Sequence, residues 1–506
     1  MNRLNLKNTG TGLGLVGISL LVASLFYPLD RSGYWLSISF CFVSLGILLY
    51  SYGQHHNSSP GNKNNNIWTQ SITTRGVWGW VLGMVLTAFY VALYWYPESL
   101  GYRPGKNSGL VALFDPLSII LNGNLATEWF LYGTLYTFAI LAFGIKFIWK
   151  YRYNRYQIIR TISVIFFQLG FAYLLPEILS KLNPSAPYFA KDLKNMWPLN
   201  YYFFDQWHLK NMLNAEFLGY FFLIFGLLLI FVISPILTYF FGKRWYCSWV
   251  CGCGGLAETA GDSFRQLSSK KISIWKLERW MIHVVLVIIF LTTIAVIWSF
   301  LSGKSNTTGL SREAFVIGVV AFLFIIVGGI YLWKRHDLDK DTTYTMVSLS
   351  LVIIGTLSIQ AYSGERNILF FSSYKLQQWY GFGIGAVFSG ILGVGFYPIL
   401  GSRVWCRFGC PMAAILGLQQ RLLSRFRITT NGGQCISCGN CSSYCEMGID
   451  VRSYAQKGEN IVRSSCVGCG ICADVCPRGV LKLENGSQSN RIQSKFYSLG
   501  NNLQMD

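Results

Sequence analysis

The strongest constraint on this chain is a run of apolar windows, each close to 20 residues long, at 11–29, 34–52, 77–97, 128–150, 157–180, 217–241, 280–302, 313–333, 344–362 and 377–400. A helix needs roughly 20 apolar residues to cross ~30 Å of hydrocarbon, and only helices and closed barrels satisfy their backbone polar groups there. The windows predict an α-helical polytopic membrane protein with about ten crossings. Composition agrees: 52% of residues are hydrophobic, 16% aromatic and only 13% charged, where soluble domains run near 25% charged. The first window has no cleavage site leading into a soluble domain and is expected to be an anchor rather than a removed signal peptide.

The net charge of +20 would suit nucleic acid, but its placement favours a bilayer. With a cytoplasmic N-terminus, the inner connections carry Lys63 and Arg75, then Lys150, Arg152 and Arg155. They continue with Lys243, Arg244, Arg265, Lys270, Lys271 and Lys276, then Lys334, Arg335 and Lys340, with Arg421, Arg425 and Arg427 following the last window. The outer connections mix signs, with Asp30 and Arg31, Glu98, Asp115, Glu128, Asp192, Asp205 and Glu216. This is the positive-inside pattern, and ten spans place both termini in the cytoplasm of a cell (inner) membrane. No nucleic-acid partner is expected.

Fourteen cysteines are then the informative residues. All but Cys41, which reads as apolar filler in the second span, fall on the reducing side, where ligands rather than disulfides are expected. "CISCGNCSSYC" (435–445) and "CVGCGICADVCP" (466–477) both follow C-x2-C-x2-C-x3-C. In two-cluster ferredoxins the fourth cysteine of each run serves the other cubane. One 4Fe–4S cluster is therefore expected on Cys435, Cys438, Cys441 and Cys476, and a second on Cys466, Cys469, Cys472 and Cys445. Gly439, Gly468 and Gly470 relieve the backbone around the cubanes. Pro477 fits the pattern, while Glu446 stands where the first half would have proline. Zinc knuckles are the bland alternative, but zinc prefers two C-x2-C pairs separated by a longer loop.

"GKRWYCSWVC" (242–251) and "GSRVWCRFGC" (401–410) align without a gap as G-x-R-x-(W/Y)-C-x3-C. Each ends an apolar window and leads into small residues, then a basic amphipathic stretch. The two are expected to meet the cytoplasmic membrane surface as copies of one repeat. Facing repeats would bring Cys247, Cys251, Cys406 and Cys410 together, to hold a further Fe–S cluster or thiophilic metal, or to act as redox dithiols. Buried structural cysteine is the alternative, and the part of Cys253 is open. His55 and His56 read as members of a solvated polar loop, His208 as external, and His283 as an interfacial residue in the "RWMIHVV" span.

The order of the chain is then a transmembrane hairpin and polar loop (1–76), further spans with long external loops (77–215) and the repeated core with its two C-x3-C motifs (216–424). An α+β dicluster ferredoxin domain (425–485) and a polar tail (486–506) follow.

Spans, paired aromatic-flanked C-x3-C motifs and a C-terminal dicluster ferredoxin together resemble the membrane polyferredoxin family over roughly 217–480. That family includes NapH-type quinol dehydrogenases, NosR-type proteins of nitrous oxide reduction and CcoG-type proteins of oxidase assembly. By the resemblance, Cys247, Cys251, Cys406 and Cys410 carry the family's paired motif; Pro411 matches its proline and Gly252 departs from it. The spans before residue 217 exceed the NapH type, and neither a NosR-like flavin domain nor a CcoG-like domain after the clusters is seen. The resemblance implies an iron–sulfur relay between the quinone pool and a partner redox protein or respiratory enzyme subunit, as a quinol dehydrogenase component with quinone as substrate. The alternative is a copper reductase or assembly factor for a respiratory metalloenzyme.

Overall fold

The computed structural model describes residues 3–27, 32–56, 74–184, 197–301, 311–334, 340–363 and 372–485. Most of the polar loop after His56, the middle of the 181–216 connection and the tail beyond Asn485 lie outside the described residues. Among the described residues, eight helices are long and apolar enough to cross a membrane. They are α1 (Leu4–Ala23), α2 (Ser32–His55), α3 (Val77–Trp95), α4 (Glu128–Lys150), α5 (Arg155–Leu182), α6 (Phe217–Phe241), α7 (Ile272–Ser299) and α8 (Arg312–Leu332). The two other expected windows are helical as well. Lys340–Ser363 holds a shorter apolar stretch, Met346–Ile359, and Ser373–Tyr380 passes into a π-helix over Gly381–Gly395.

Helix starts follow local chemistry. Thr127 caps α4 by accepting from the Phe130 N–H, and Asn154 caps α5 by accepting from Tyr156, each satisfying one orphan donor. The α1–α2 hairpin packs through small residues, and a Cβ on Gly10 would lie 2.7 Å from the Gly46 carbonyl oxygen. Such close backbone approach is the usual means of helix association where lipid competes equally for apolar side chains. Outward residues such as Phe217, Ile224 and Phe324 are exposed, as a hydrocarbon-facing surface requires.

The repeat is visible in the backbone. Gly242 (φ 65°) and Gly401 (φ 98°) occupy the same motif position, and each ends a helix in a conformation open essentially to glycine alone. In both copies the second cysteine N–H donates five residues back, Cys251 to Tyr246 and Cys410 to Trp405, at 2.8 and 2.9 Å. Each second cysteine then opens a half-helix, Gly252–Thr259 (α9) or Pro411–Leu423 (α10).

Both half-helices are largely buried within the protein. A Cβ on Gly252 would meet Gln168 and Tyr136, residues near the middles of α5 and α4, and one on Gly255 would meet Val164. The helix α9 therefore starts inside the bundle and runs back to Glu258, which pairs with Arg160 near the start of α5. Helix α10 likewise packs Ile415 against Ile289 and Tyr380, and its far end reaches the last domain, where Gln420 Nε2 donates to the carbonyls of Arg463 and Cys466. Of the basic residues that follow the first motif, Arg265 is buried in ion pairs with Asp262 and Glu446.

That last domain is built on β1 (Phe426–Thr430) and β2 (Leu481–Asn485), antiparallel with Phe426 opposite Asn485. Every β1 residue is buried. Phe426 lies under the Arg244 guanidinium, 4.6 Å from its ring centroid, so the ferredoxin domain sits directly on the membrane bundle.

Candidate functional site

Two cavities occupy the ferredoxin domain. The first is lined by Cys435, Cys438, Cys441 and Cys476, the second by Cys445, Cys466, Cys469 and Cys472. The fourth cysteine of each run thus faces the three of the other, because Gly439 and Gly470 (φ 79° and 77°) turn the chain into the short helices Asn440–Ser443 and Ile471–Asp474 that carry the third cysteines. Apart from Arg452 and Arg478 at the first, and Glu446 at the second, the walls are mostly apolar, with Val480 and Leu481 at one and Ile428 and Ile461 at the other. Burial pushes the Cys441 thiol up to about 12 and that of Cys466 to about 11. A set of thiols this desolvated is stable either protonated or bound to a soft metal centre, which fits the 4Fe–4S group.

The two cavities differ in surroundings. The second is pressed onto the bundle: Tyr156 Oη donates to the Gly468 carbonyl (2.9 Å), Gln157 Nε2 to that of Cys469 (3.0 Å) and Ser248 Oγ to that of Val467 (2.8 Å). The first is turned away, with Cys438 and Ile436 exposed.

The structure also brings together the four cysteines of the repeat. Cys247, Cys406 and Cys410 are buried in one cluster with Cys251 packed against it, and every pair among the four lies within electrostatic reach. Cys253, two residues after Cys251, lies within electrostatic reach of it. Of the basic flanking residues, Arg403 serves the thiols, with Nη1 3.7 Å from Cys406 Sγ. Arg244 does not; it faces Phe426. The fully buried Lys243 lies within electrostatic reach of Cys247 in its place.

Between this four-thiol centre and the second cavity runs a buried charge network that sequence patterns did not reveal. Arg403 Nη2 contacts Glu258 (2.5 Å) and Glu446 (3.0 Å); Arg265 contacts Glu446 (2.9 Å) and Asp262 (2.6 Å); Lys150 contacts Asp262 (2.7 Å); and Arg160 pairs with Glu258. Burial alone would raise the Glu446 carboxyl, but the Arg265 and Arg403 guanidiniums outweigh it and hold it below the usual carboxylate range. Carboxylate oxygens of Glu258 and Glu446 lie within 4.8 Å of Cys469 Sγ. Both acids are already paired with guanidiniums, so this is a charge-compensated junction rather than a metal site.

The histidines stand apart. His55 is a buried helix residue rather than part of a solvated loop, and its carbonyl accepts from Arg152. His208 is buried, with Nδ1 3.0 Å from the Phe203 carbonyl, and His283 Nδ1 bonds the Arg279 carbonyl within its own helix. Cys41 is exposed on α2.

Known proteins carry both cysteine patterns. Residues 434–481 match the 4Fe-4S dicluster domain family. The 4Fe-4S binding domain family matches twice, over 223–274 and 382–429, once for each copy of the repeat. Fold and cysteine sites together define a membrane-associated iron–sulfur electron-transfer protein. A relative in Escherichia coli (strain K12), named as an electron transport protein, YccM, is 25% identical over 235 residues, 46% of this chain and 48% of the relative. The chain thus spans about half the length of that curated relative. No solved structure matches.

Proposed function

We propose that this protein relays electrons between the membrane quinone pool and a partner redox protein. Cys435, Cys438, Cys441 and Cys476 would hold one 4Fe–4S cluster and Cys466, Cys469, Cys472 and Cys445 another, with a further carrier on Cys247, Cys251, Cys406 and Cys410. When bound, such clusters supply one-electron redox chemistry at potentials set by their surroundings. The observation that carries the reading is the continuity of the four-thiol centre with the second cavity: Arg403 touches Cys406 and also Glu446, the residue directly after Cys445.

The chain's own residues insulate, space and compensate. The half-helices α9 and α10 carry the four-thiol centre into the bundle, where lipid-soluble donors reside. Hydrogen bonds from Tyr156, Gln157, Ser248 and Gln420 hold the second cavity against it, and the exposed first cavity offers the way out. Quinol oxidation releases two electrons and two protons, the protons to water and the electrons singly to a one-electron acceptor protein. The positive-inside pattern supports a cytoplasmic ferredoxin with both termini on the same side of the cell membrane.

Replacing Cys251 and Cys410 together by Ser tests this. Quinol-linked reduction of the ferredoxin clusters should stop, while dithionite still reduces them and their spectra persist; unchanged quinol-linked reduction would make the motif structural. A second reading, copper reduction or assembly for a respiratory metalloenzyme, draws on the five closely placed thiols, since soft thiolates also select Cu(I). Metal analysis of anaerobically purified protein separates the two: fixed iron with matching sulfide favours the relay, and exchangeable copper the alternative.

A further inference from the structure

Cys253 is exposed although the rest of its half-helix, Gly254–Thr259, is buried. Four phenols, Tyr90 and Tyr94 of α3 and Tyr132 and Tyr136 of α4, lie within electrostatic reach of its thiol. A Cβ on Gly252 would lie 3.3 Å from the Tyr136 ring, which stands 5.5 Å from Tyr132, itself 5.9 Å from Tyr90. A row of tyrosines thus flanks the exposed thiol, and the cleft is the space beside that row. The Tyr136 hydroxyl is buried and has no hydrogen-bond partner, and the Tyr90 and Tyr132 hydroxyls meet only at 3.4 Å. A buried phenol left unpaired is costly, and such groups commonly mark a site completed by something else.

The chemistry of the cleft narrows the ligand. Its side chains, with Gln168 beside Tyr136 at the start of α9, are neutral donors and acceptors. They suit an uncharged aromatic ring bearing oxygens and provide no countercharge for a phosphate or carboxylate. The flank faces lipid: the Tyr94 ring meets Trp129 at 5.4 Å, and Trp95 meets Phe382 at 5.7 Å. Trp129, Trp95 and Phe382 are 49%, 38% and 59% exposed. The backbone is irregular here too. Gln168 lies in the π-helical segment Phe167–Leu174 of α5, and Gly390, where a Cβ would lie 2.9 Å from the Tyr94 ring, lies in Gly381–Gly395; π-helical turns often occur at functional sites.

We propose that this cleft binds the head group of a lipid-soluble quinone or quinol, with Tyr136 as a hydrogen-bond partner of a ring oxygen and the isoprenoid tail leaving past Trp129. The proposal rests on the quinone-pool reading above and adds its place: a head group here would sit beside Cys253, two residues from Cys251 of the four-thiol centre.

The test uses the full-length protein in lipid nanodiscs with azido-benzoquinone and azido-naphthoquinone photoprobes, alongside equilibrium binding of decylbenzoquinone and a naphthoquinone. Label should map to Val77–Trp95 and Glu128–Lys150. Tyr136→Phe should weaken binding roughly threefold to tenfold, the worth of one hydrogen bond, with cluster spectra unchanged. Tyr132→Phe gives a second variant of the same wall. Label confined to other spans, or affinity unchanged in both variants, overturns this site and leaves the quinone reading standing. A wild-type protein that takes up neither probe overturns both.

Discussion

Arg403 Nη2 lies 3.0 Å from Glu446 Oε1, joining the residue three before Cys406 to the residue directly after Cys445. In a ferredoxin run, position 446 would ordinarily be proline. Here the acid is fully buried and shared between Arg403 and Arg265, so the departure from the motif is the point at which the ferredoxin domain locks onto the membrane bundle.

Glu446→Gln should therefore loosen that docking. Removing one partner of a buried charge pair costs about 3–5 kcal/mol, because Arg403 and Arg265 keep their charge without the shared carboxylate. Limited proteolysis in detergent should cut the variant between Leu423 and Phe426 far faster than wild type, whereas Gln456→Ala, on the exposed outer helix, should leave the rate unchanged.

Crossed ligation predicts that Cys476→Ser damages the cluster built with Cys435, Cys438 and Cys441. Electron paramagnetic resonance of the reduced variant should show the loss there, and a loss confined to the Cys466 set would make the assignment wrong.

The paired glycines give a stability test. A Cβ at Gly242 would lie 2.5 Å from Gln420 Oε1, and one at Gly401 2.4 Å from Ser268 Oγ, both on backbone that L side chains rarely adopt. Alanine at either should cost about 1–3 kcal/mol and lower the melting temperature in detergent. Gly12→Ala, with open space around it, should not.

Sidedness can be read with reporter fusions. Fusions after residues 265, 338 and 480 should all report cytoplasm, and fusions after 106, 200 and 306 the other side; a periplasmic signal at 480 would overturn the topology.

Apolar length and cysteine spacing made the helical bundle, the ferredoxin and the repeat legible, because both are local properties of the chain. Charge was misread where it is buried. Lys150, Lys243 and Arg265 count towards basic inner connections in the sequence, yet each is almost wholly shielded, Lys150 and Arg265 in ion pairs that tertiary structure alone creates. Glu258, Asp262 and Glu446 carried no spacing signal, although an acid in a ferredoxin proline position was a visible anomaly. Gly252 was another. Its copy in the second repeat is Pro411, but a Cβ at 252 would come within 2.1 Å of Gln168 Oε1, so the first half-helix carries glycine where the second can carry proline.

The four-thiol centre also imposes an order on biogenesis. Translation delivers Cys247 and Cys251 well before Cys406 and Cys410, with several membrane segments still to be inserted between them. Neither pair alone offers four soft ligands, so the centre stays incomplete through most of synthesis and closes only as the second half-helix arrives. The ferredoxin emerges after both repeats, onto a floor they have already shaped.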